Sequence, residues 1–465
     1  MKTVAVTLGI LSFLMLPPLA GALPDAEPPG SLAEAARFPD ATPAIAAALA
    51  RAGESGGGEV VLPVGRYIIT RPLNVPSGVT LRGESKTATR LVVSGSADFS
   101  VLNVSGATDV VIGNLSIVQE GEGGKGAGIA IENGSRFVLV ENVNIYGFGR
   151  GFSVGRIDDK PESANLTFRG CRAEKSRTFG FEFNNCREVL VDSCHAYYHW
   201  LDGIKFRKKA RDITIRGGES SYNGVSRLVK ENLNGNGVDA FAGGEGFLID
   251  GLVCEHNQGS GIYMKTGGAS VRNFGVVGNA MIANVRCRYN VGSGLDINRS
   301  GGDLANAPLL ANVTVIGGIF EGNTASGIYV RGRNVSIVGP IIRSNDWHGI
   351  DLASAYEVTI INPLVSGNGR ALKDGGYGIR IGVDPVKGGA NNIRIQGGVI
   401  DGADDLYLVR ASDPPPTAPV LHRRAILVGP EAANVSISGV QFVRWLENGE
   451  PVARPTTSET AASQP

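Results

Sequence analysis

The chain has 465 residues with 44 basic and 44 acidic side chains, a formal net charge of zero. That balance supplies no cationic field for phosphates, so charge excludes nucleic acid as a partner. At about 150 residues per domain the length allows two or three domains, but the 66 glycines recur in register along the chain, and a repeat overrides such a division.

At the N-terminus Lys2 is followed by an apolar run from Val4 to Leu16 and then by Ala20, Gly21 and Ala22, the small-residue site of a cleaved secretory signal. The run falls short of the about 20 residues that a membrane helix needs. Residues 1–22 therefore read as a signal peptide, which predicts a secreted or periplasmic protein with no membrane partner. Residues 23–41 read as a linker. The stretch DATPAIAAALARAG that starts at Asp40 reads as a short helix with Thr42 as N-cap, Pro43 in its first turn and Gly53 closing it. Such a helix would cover the open edge of the first strands after it.

From residue 42 to about residue 445 one pattern returns. A glycine followed by alternating apolar residues opens short strands at Gly180, Gly203, Gly237, Gly261, Gly294, Gly327, Gly349 and Gly378. Second strands between them end on Gly, Asn or Ser, residues that reach left-handed backbone geometry at little cost. Gly170, Ser193, Gly251, Asn284, Gly317 and Gly339 each stand ten positions before a strand glycine. Asn223, Asn257, Asn290, Asn323, Asn345 and Asn368 recur six positions after the turn residue of their own coil. A coil as short as the 22 residues from Gly327 to Gly349 holds three short strands and three turns, which predicts a parallel β-solenoid. Residues 401–424 form a proline-containing excursion before the last strands, and residues 446–465 read as a polar, disordered tail.

The string GGGEVVLPVGRYIITRPLNVPSGVTLRG, residues 56–83, together with the coils, resembles the pectate-lyase-like superfamily. The resemblance covers about residues 42–445. It implies an all-β, single-stranded right-handed parallel β-helix with a short N-terminal capping α-helix, most often exported and active on acidic or complex polysaccharides. The reaction stays open, because lyases, hydrolases, epimerases and phage tailspikes share the fold.

Four of the five cysteines, Cys171, Cys194, Cys254 and Cys287, stand at odd offsets from the turn position and so point inward. They read as buried thiols, with a disulfide between neighbouring coils as the alternative. His195 and His199 of HAYYH lie across a strand and a turn and should not converge on a metal.

In each glycine-initiated strand the residue after the glycine points inward and the next outward. The first outward column runs Ser153, Glu182, Lys205, Asp239, Tyr263, Asp296, Tyr329, Asp351 and Arg380; the second includes Asn184, Arg207, Phe241, Lys265, Asn298 and Arg331. Insertions at 224–236, 265–283 and 298–316 flank these strands as expected cleft walls. Trp200 and Trp347, with His199 and His348, occupy the turns that lead into this face, where aromatic planes can stack on sugars.

On a uronic-acid polymer the difficult step is removal of the proton beside the carboxylate, which needs a cation, a base and an acid. Lys265, Tyr263, Asp239, Asp296 and Arg331 are the catalytic candidates. Lys265 or Arg331 would serve as base, as such residues do in several β-helix lyases, and Tyr263 as proton donor. Lys205, Arg207, Asn298, Tyr329, Asp351, Trp200, Trp347 and His348 are the substrate-binding candidates, and Asp239 with Asp296 could hold Ca²⁺.

The favoured reading is a lyase or related epimerase on a uronate-containing glycan, with polysaccharide as partner and a monomeric chain. The first alternative is a hydrolase using Asp239 and Asp296, two coils and so roughly 9.5 Å apart, within the range of inverting enzymes. The chain lacks the NTD and DD set of polygalacturonases and the DPHD signature of alginate C5-epimerases. The second alternative is a noncatalytic glycan-binding β-helix.

Overall fold

The computed structural model describes residues 31–451 apart from 97, 122–123, 157–160, 208, 226–234, 242–243, 267–276, 300–309, 372–375, 383–388, 402–423, 444–445 and 448–449. The segment read as a signal peptide, most of the tail and the middles of the insertions lie outside the described residues.

Each coil contributes one strand to each of three parallel columns. Two columns merge into a 26-stranded sheet, because the long strands Thr108–Gln119 and Arg136–Tyr146 run through both. The third column is a separate 13-stranded sheet from Leu73–Asn74 to Arg424–Val428, here called the front sheet. After the last coil a short antiparallel pair joins Leu446–Glu447 to Glu450–Pro451.

Period-two alternation builds the interior. Ile262 and Met264, Leu295 and Ile297, Ile328 and Val330, and Ile350 and Leu352 are all buried. Phe152 and Phe181 stack on adjacent coils with centroids 4.5 Å apart. The strand-opening glycines are required by the close approach of coils: a Cβ on Gly261 would lie 2.7 Å from the Gly294 carbonyl oxygen and 2.9 Å from Cys287 Cβ. The turn residues Gly170, Ser193, Gly251, Asn284, Gly317 and Gly339 all take positive φ, from 52° to 69°, as their side chains predict. All five cysteines are free and buried, Cys186 included, and Cys254 stacks in register on Cys287.

The recurring asparagines form a continuous internal ladder. Nδ2 of Asn223, Asn257, Asn290, Asn323 and Asn345 each donates to Oδ1 of the asparagine one coil on, at 2.8–2.9 Å. Asn290, fully buried, also receives the Asn257 amide at 3.1 Å and donates to the Cys254 carbonyl at 3.0 Å. Asn290→Ala should therefore cost about 3 kcal/mol, since it strands several buried polar groups at once; a denaturation midpoint unchanged from wild type would contradict this.

The N-terminal helix spans Thr42–Glu54 and lays Ile45 and Leu49 on the first coil. Its N-cap is Ala41 and not Thr42. The reason is local: Asp40 Oδ1 accepts the Thr42 amide at 2.9 Å and does the capping from one residue outside. Within the segment read as a linker, Leu32–Ala35 forms a one-turn helix whose Ala35 is fully buried. Among the described residues no helix is long and apolar enough to cross a membrane.

Candidate functional site

The front sheet places the outward columns rung by rung. Lys205, Asp239, Tyr263, Asp296, Tyr329 and Asp351 are successive backbone partners, as are Arg207, Phe241, Lys265, Asn298 and Arg331. The face differs from a solvated strand surface in its burial. Asp239 is 0%, Tyr263 2%, Lys205 5%, Arg331 7% and Lys265 9% exposed.

Burial of so many charges requires pairing, and the pairing is specific. Asp239 Oδ2 sits between two ammonium groups, Lys265 Nζ at 2.8 Å and Lys205 Nζ in a short contact. Lys205 also reaches Asp202 Oδ2 at 3.2 Å. The other oxygen of Asp202 accepts the amides of Gly235 and Asn236 and the Asn236 side chain, each at 2.9 Å. Burial penalises the Asp202 carboxylate, yet Lys205, Lys265 and these donors hold its pKa below the usual value. Burial likewise opposes the Lys205 charge, and Asp202 and Asp239 outweigh it, so its pKa is raised. Burial pushes the Asp239 carboxyl up against the pull of Lys205 and Lys265.

Asp296 stands two rungs from Asp239, between Tyr263 and Tyr329. It is partly exposed, but its Oδ1 is buried without a hydrogen-bond partner. Burial raises its pKa to about 7, against Lys265 and Asn298, which lower it. Burial also keeps the Tyr263 phenol protonated, its pKa far above the ordinary tyrosine value. Lys265 Nζ lies 4.7 Å from the centroid of the Tyr263 ring. Arg331 donates to Asn298 Oδ1 at 3.4 Å and keeps a buried Nε without a partner.

Several sequence candidates have other engagements. Arg207 donates to Asn184 Oδ1 at 3.0 Å and pairs with Glu182. Asp351 holds Arg380 through two hydrogen bonds of 2.9 and 2.6 Å. Arg177 covers the Trp200 ring at 4.8 Å, whereas Trp347 is 48% exposed. His348 is buried, its Nδ1 accepting the Tyr377 amide at 3.3 Å. His199 is fully buried and held neutral, its pKa pushed down to about 3 by burial. Ca²⁺ does not fit Asp239 and Asp296: two ammonium groups already occupy Asp239, and among the described residues no group of three or more metal-ligating side chains forms.

Asp202 is absent from the sequence-derived candidates. Its signal was nevertheless present, since a polar residue precedes the strand glycine in successive coils: Asp202, Asn236, Ser260, Ser293, Ser326 and His348.

The family model described as "Right handed beta helix region" matches residues 100–273. The fold of the chain is a right-handed parallel β-helix. Solved β-helix structures agree. The pre-mature bacteriophage phi29 gene product 12 is 16% identical, with 90% of this chain and 56% of that one covered, at a TM-score of 0.57. The Agl-KA catalytic domain is 13% identical over 87% of this chain and 66% of its own, at 0.51. A mutant of the periplasmic alginate epimerase AlgG is 12% identical over 83% of this chain and 84% of its own, at 0.50. No curated protein matches the chain in sequence. At such identities the solved structures establish the fold and leave the chemistry to the residues of the front sheet.

Proposed function

We propose that the chain is an exported enzyme that acts on a carboxylated polysaccharide by removing the proton beside a sugar carboxylate, the first step of both β-elimination and epimerisation. The observation that carries this reading is the buried, unpartnered Oδ1 of Asp296, set between Tyr263 and Tyr329 with Lys265, Asn298 and Arg331 on the neighbouring column. Arg331 and Lys265 neutralise the substrate carboxylate, which makes the adjacent carbon acidic. Asp296 takes the proton, and its carboxyl titrates near neutrality, where a general base works best. Tyr263, held as a neutral phenol, donates to the leaving glycosidic oxygen in elimination. The base is thus Asp296 and not Lys265, whose ammonium is engaged by Asp239. An alginate epimerase with the same fold supports a polymer of this chemical kind.

Hydrolysis fits less well, because Asp239, the second carboxylate it needs, is bound by two ammonium groups on one oxygen. Alginate, pectate and glycosaminoglycans should be screened with three readouts: ultraviolet absorbance for unsaturated ends, proton NMR for C5 configuration, and reducing-end assay. The expected result is an unsaturated or epimerised product, with kcat rising as pH increases through about 7. New reducing ends without unsaturation would mean hydrolysis, and no change in any polymer would defeat the enzyme reading for those substrates.

A further inference from the structure

In the second column of the large sheet, away from the front sheet, lies a groove with Val118, Ile145 and Tyr146 among its lining residues that the proposed chemistry does not use. Its volume is about 270 Å³, at the small end of ligand sites. Arg90, Ser116, Asn144 and Arg172 form one row across four successive rungs. Tyr146 and Glu174 line the parallel row.

The groove is chemically incomplete as it stands. Asn144 Oδ1 is buried and accepts no hydrogen bond, which costs free energy until a donor arrives. The two guanidinium groups at its ends are exposed and are donors only. Arg90 spends its Nε on the Thr87 carbonyl at 2.8 Å, and Arg172 pairs with Glu174. One wall is fixed from outside the sheet: Ser116 Oγ donates to the Lys86 carbonyl at 2.6 Å, and Lys86 Nζ reaches the Gly170 carbonyl at 2.8 Å. Beyond Arg172 the next rung is His195, whose Nδ1 lies 3.0 Å from the Tyr197 hydroxyl, which in turn donates to Glu219 at 2.8 Å. The HAYYH motif therefore builds the rigid end of this row.

A ligand suited to the groove offers a hydroxyl donor to Asn144 and acceptors, at least one of them anionic, to the guanidinium groups. We infer that the groove is a second, noncatalytic subsite for a carboxylated sugar of the polymer, one that holds the chain at a distance from the front sheet. This rests on the proposed polysaccharide substrate. Its effect is on retention of long chains, because a second foothold on one polymer raises the effective concentration at the first.

The test compares wild type, the double variant Arg90→Ala/Asn144→Ala and the front-face variant Asp296→Asn by native electrophoresis through gels containing alginate or polygalacturonate. Circular dichroism checks that each variant is folded. The expected result is retardation of wild type and of Asp296→Asn, roughly tenfold weaker for the double variant, as loss of a charged contact and a hydrogen bond implies, with turnover of trisaccharides unchanged in the double variant. Equal retardation of wild type and the double variant overturns the subsite. Turnover without retardation of any form also overturns it and leaves the proposed chemistry intact. Retardation that depends on Arg90 and Asn144 without turnover of any polymer upholds the groove and removes the chemistry instead.

Discussion

Asp296→Asn should make the protein more stable while removing its activity. The carboxyl is lifted to about 7 from an ordinary value of 3.8, so the folded state binds this proton more tightly than the unfolded chain does. Below about pH 4 the group is protonated in both states, and Asp and Asn should be equivalent there. Between pH 4 and 7 the unfolded chain releases the proton first and wild type loses stability as pH rises. Above about 7 the full penalty of an ionised carboxylate in this site is present. Each tenfold gain in proton affinity on folding corresponds to about 1.4 kcal/mol. Discounted because Asp296 is partly exposed, this gives Asp296→Asn a gain of about 2–4 kcal/mol at pH 8. Denaturation series at pH 4 and pH 8 measure this directly. A variant less stable than wild type at pH 8 would mean that Asp296 is paired in solution. Loss of the proton carrier should lower kcat by about 10²–10⁴, and a variant of undiminished kcat would remove Asp296 from the reaction.

The same rung shows how far the amino-acid sequence reaches. Alternation with period two, together with a glycine at a fixed place in each coil, aligns Asp239, Tyr263 and Asp296 on consecutive rungs, and the register is as read. The recurrence of the asparagines was equally legible, and the structure shows its reason: Asn257 and Asn290 each bond both to the copy one coil on and to a buried backbone carbonyl. Depth was not legible. The pattern marks Lys265 as outward, which on an isolated strand means exposed, whereas here outward residues pack on one another and Lys265 meets Asp239 from two positions along a neighbouring strand. Asp202 escaped because it precedes the strand glycine, outside either column, and reaches the face through its pairing with the Lys205 side chain. The helix start shifted by one residue for a similar reason: the side chain that caps it, Asp40, lies before the cap position.

Asp239→Ala should be among the most damaging single changes on the front sheet, with a loss of about 3–5 kcal/mol. In the folded protein Asp202 and Asp239 balance Lys205 and Lys265, two charges of each sign in a buried cluster. Removing Asp239 takes away the carboxylate that both ammonium groups share and leaves the cluster with two positive charges to the one negative charge of Asp202. The double variant Asp239→Leu/Lys265→Met removes one charge of each sign and keeps the Lys205–Asp202 pair. Because a buried ion pair exchanged for apolar side chains of similar volume is close to neutral, most of the stability should return, to within about 1 kcal/mol of wild type. Urea denaturation of the single and double variants separates the two cases. If the double variant is no more stable than Asp239→Ala, packing and not charge balance governs the cluster. Activity adds a second axis, since a stable double variant lacks the ammonium that helps neutralise the substrate carboxylate. It should therefore turn over substrate at least tenfold more slowly than wild type, whereas wild-type turnover in a fully stable double variant would reduce Lys265 and Asp239 to scaffold.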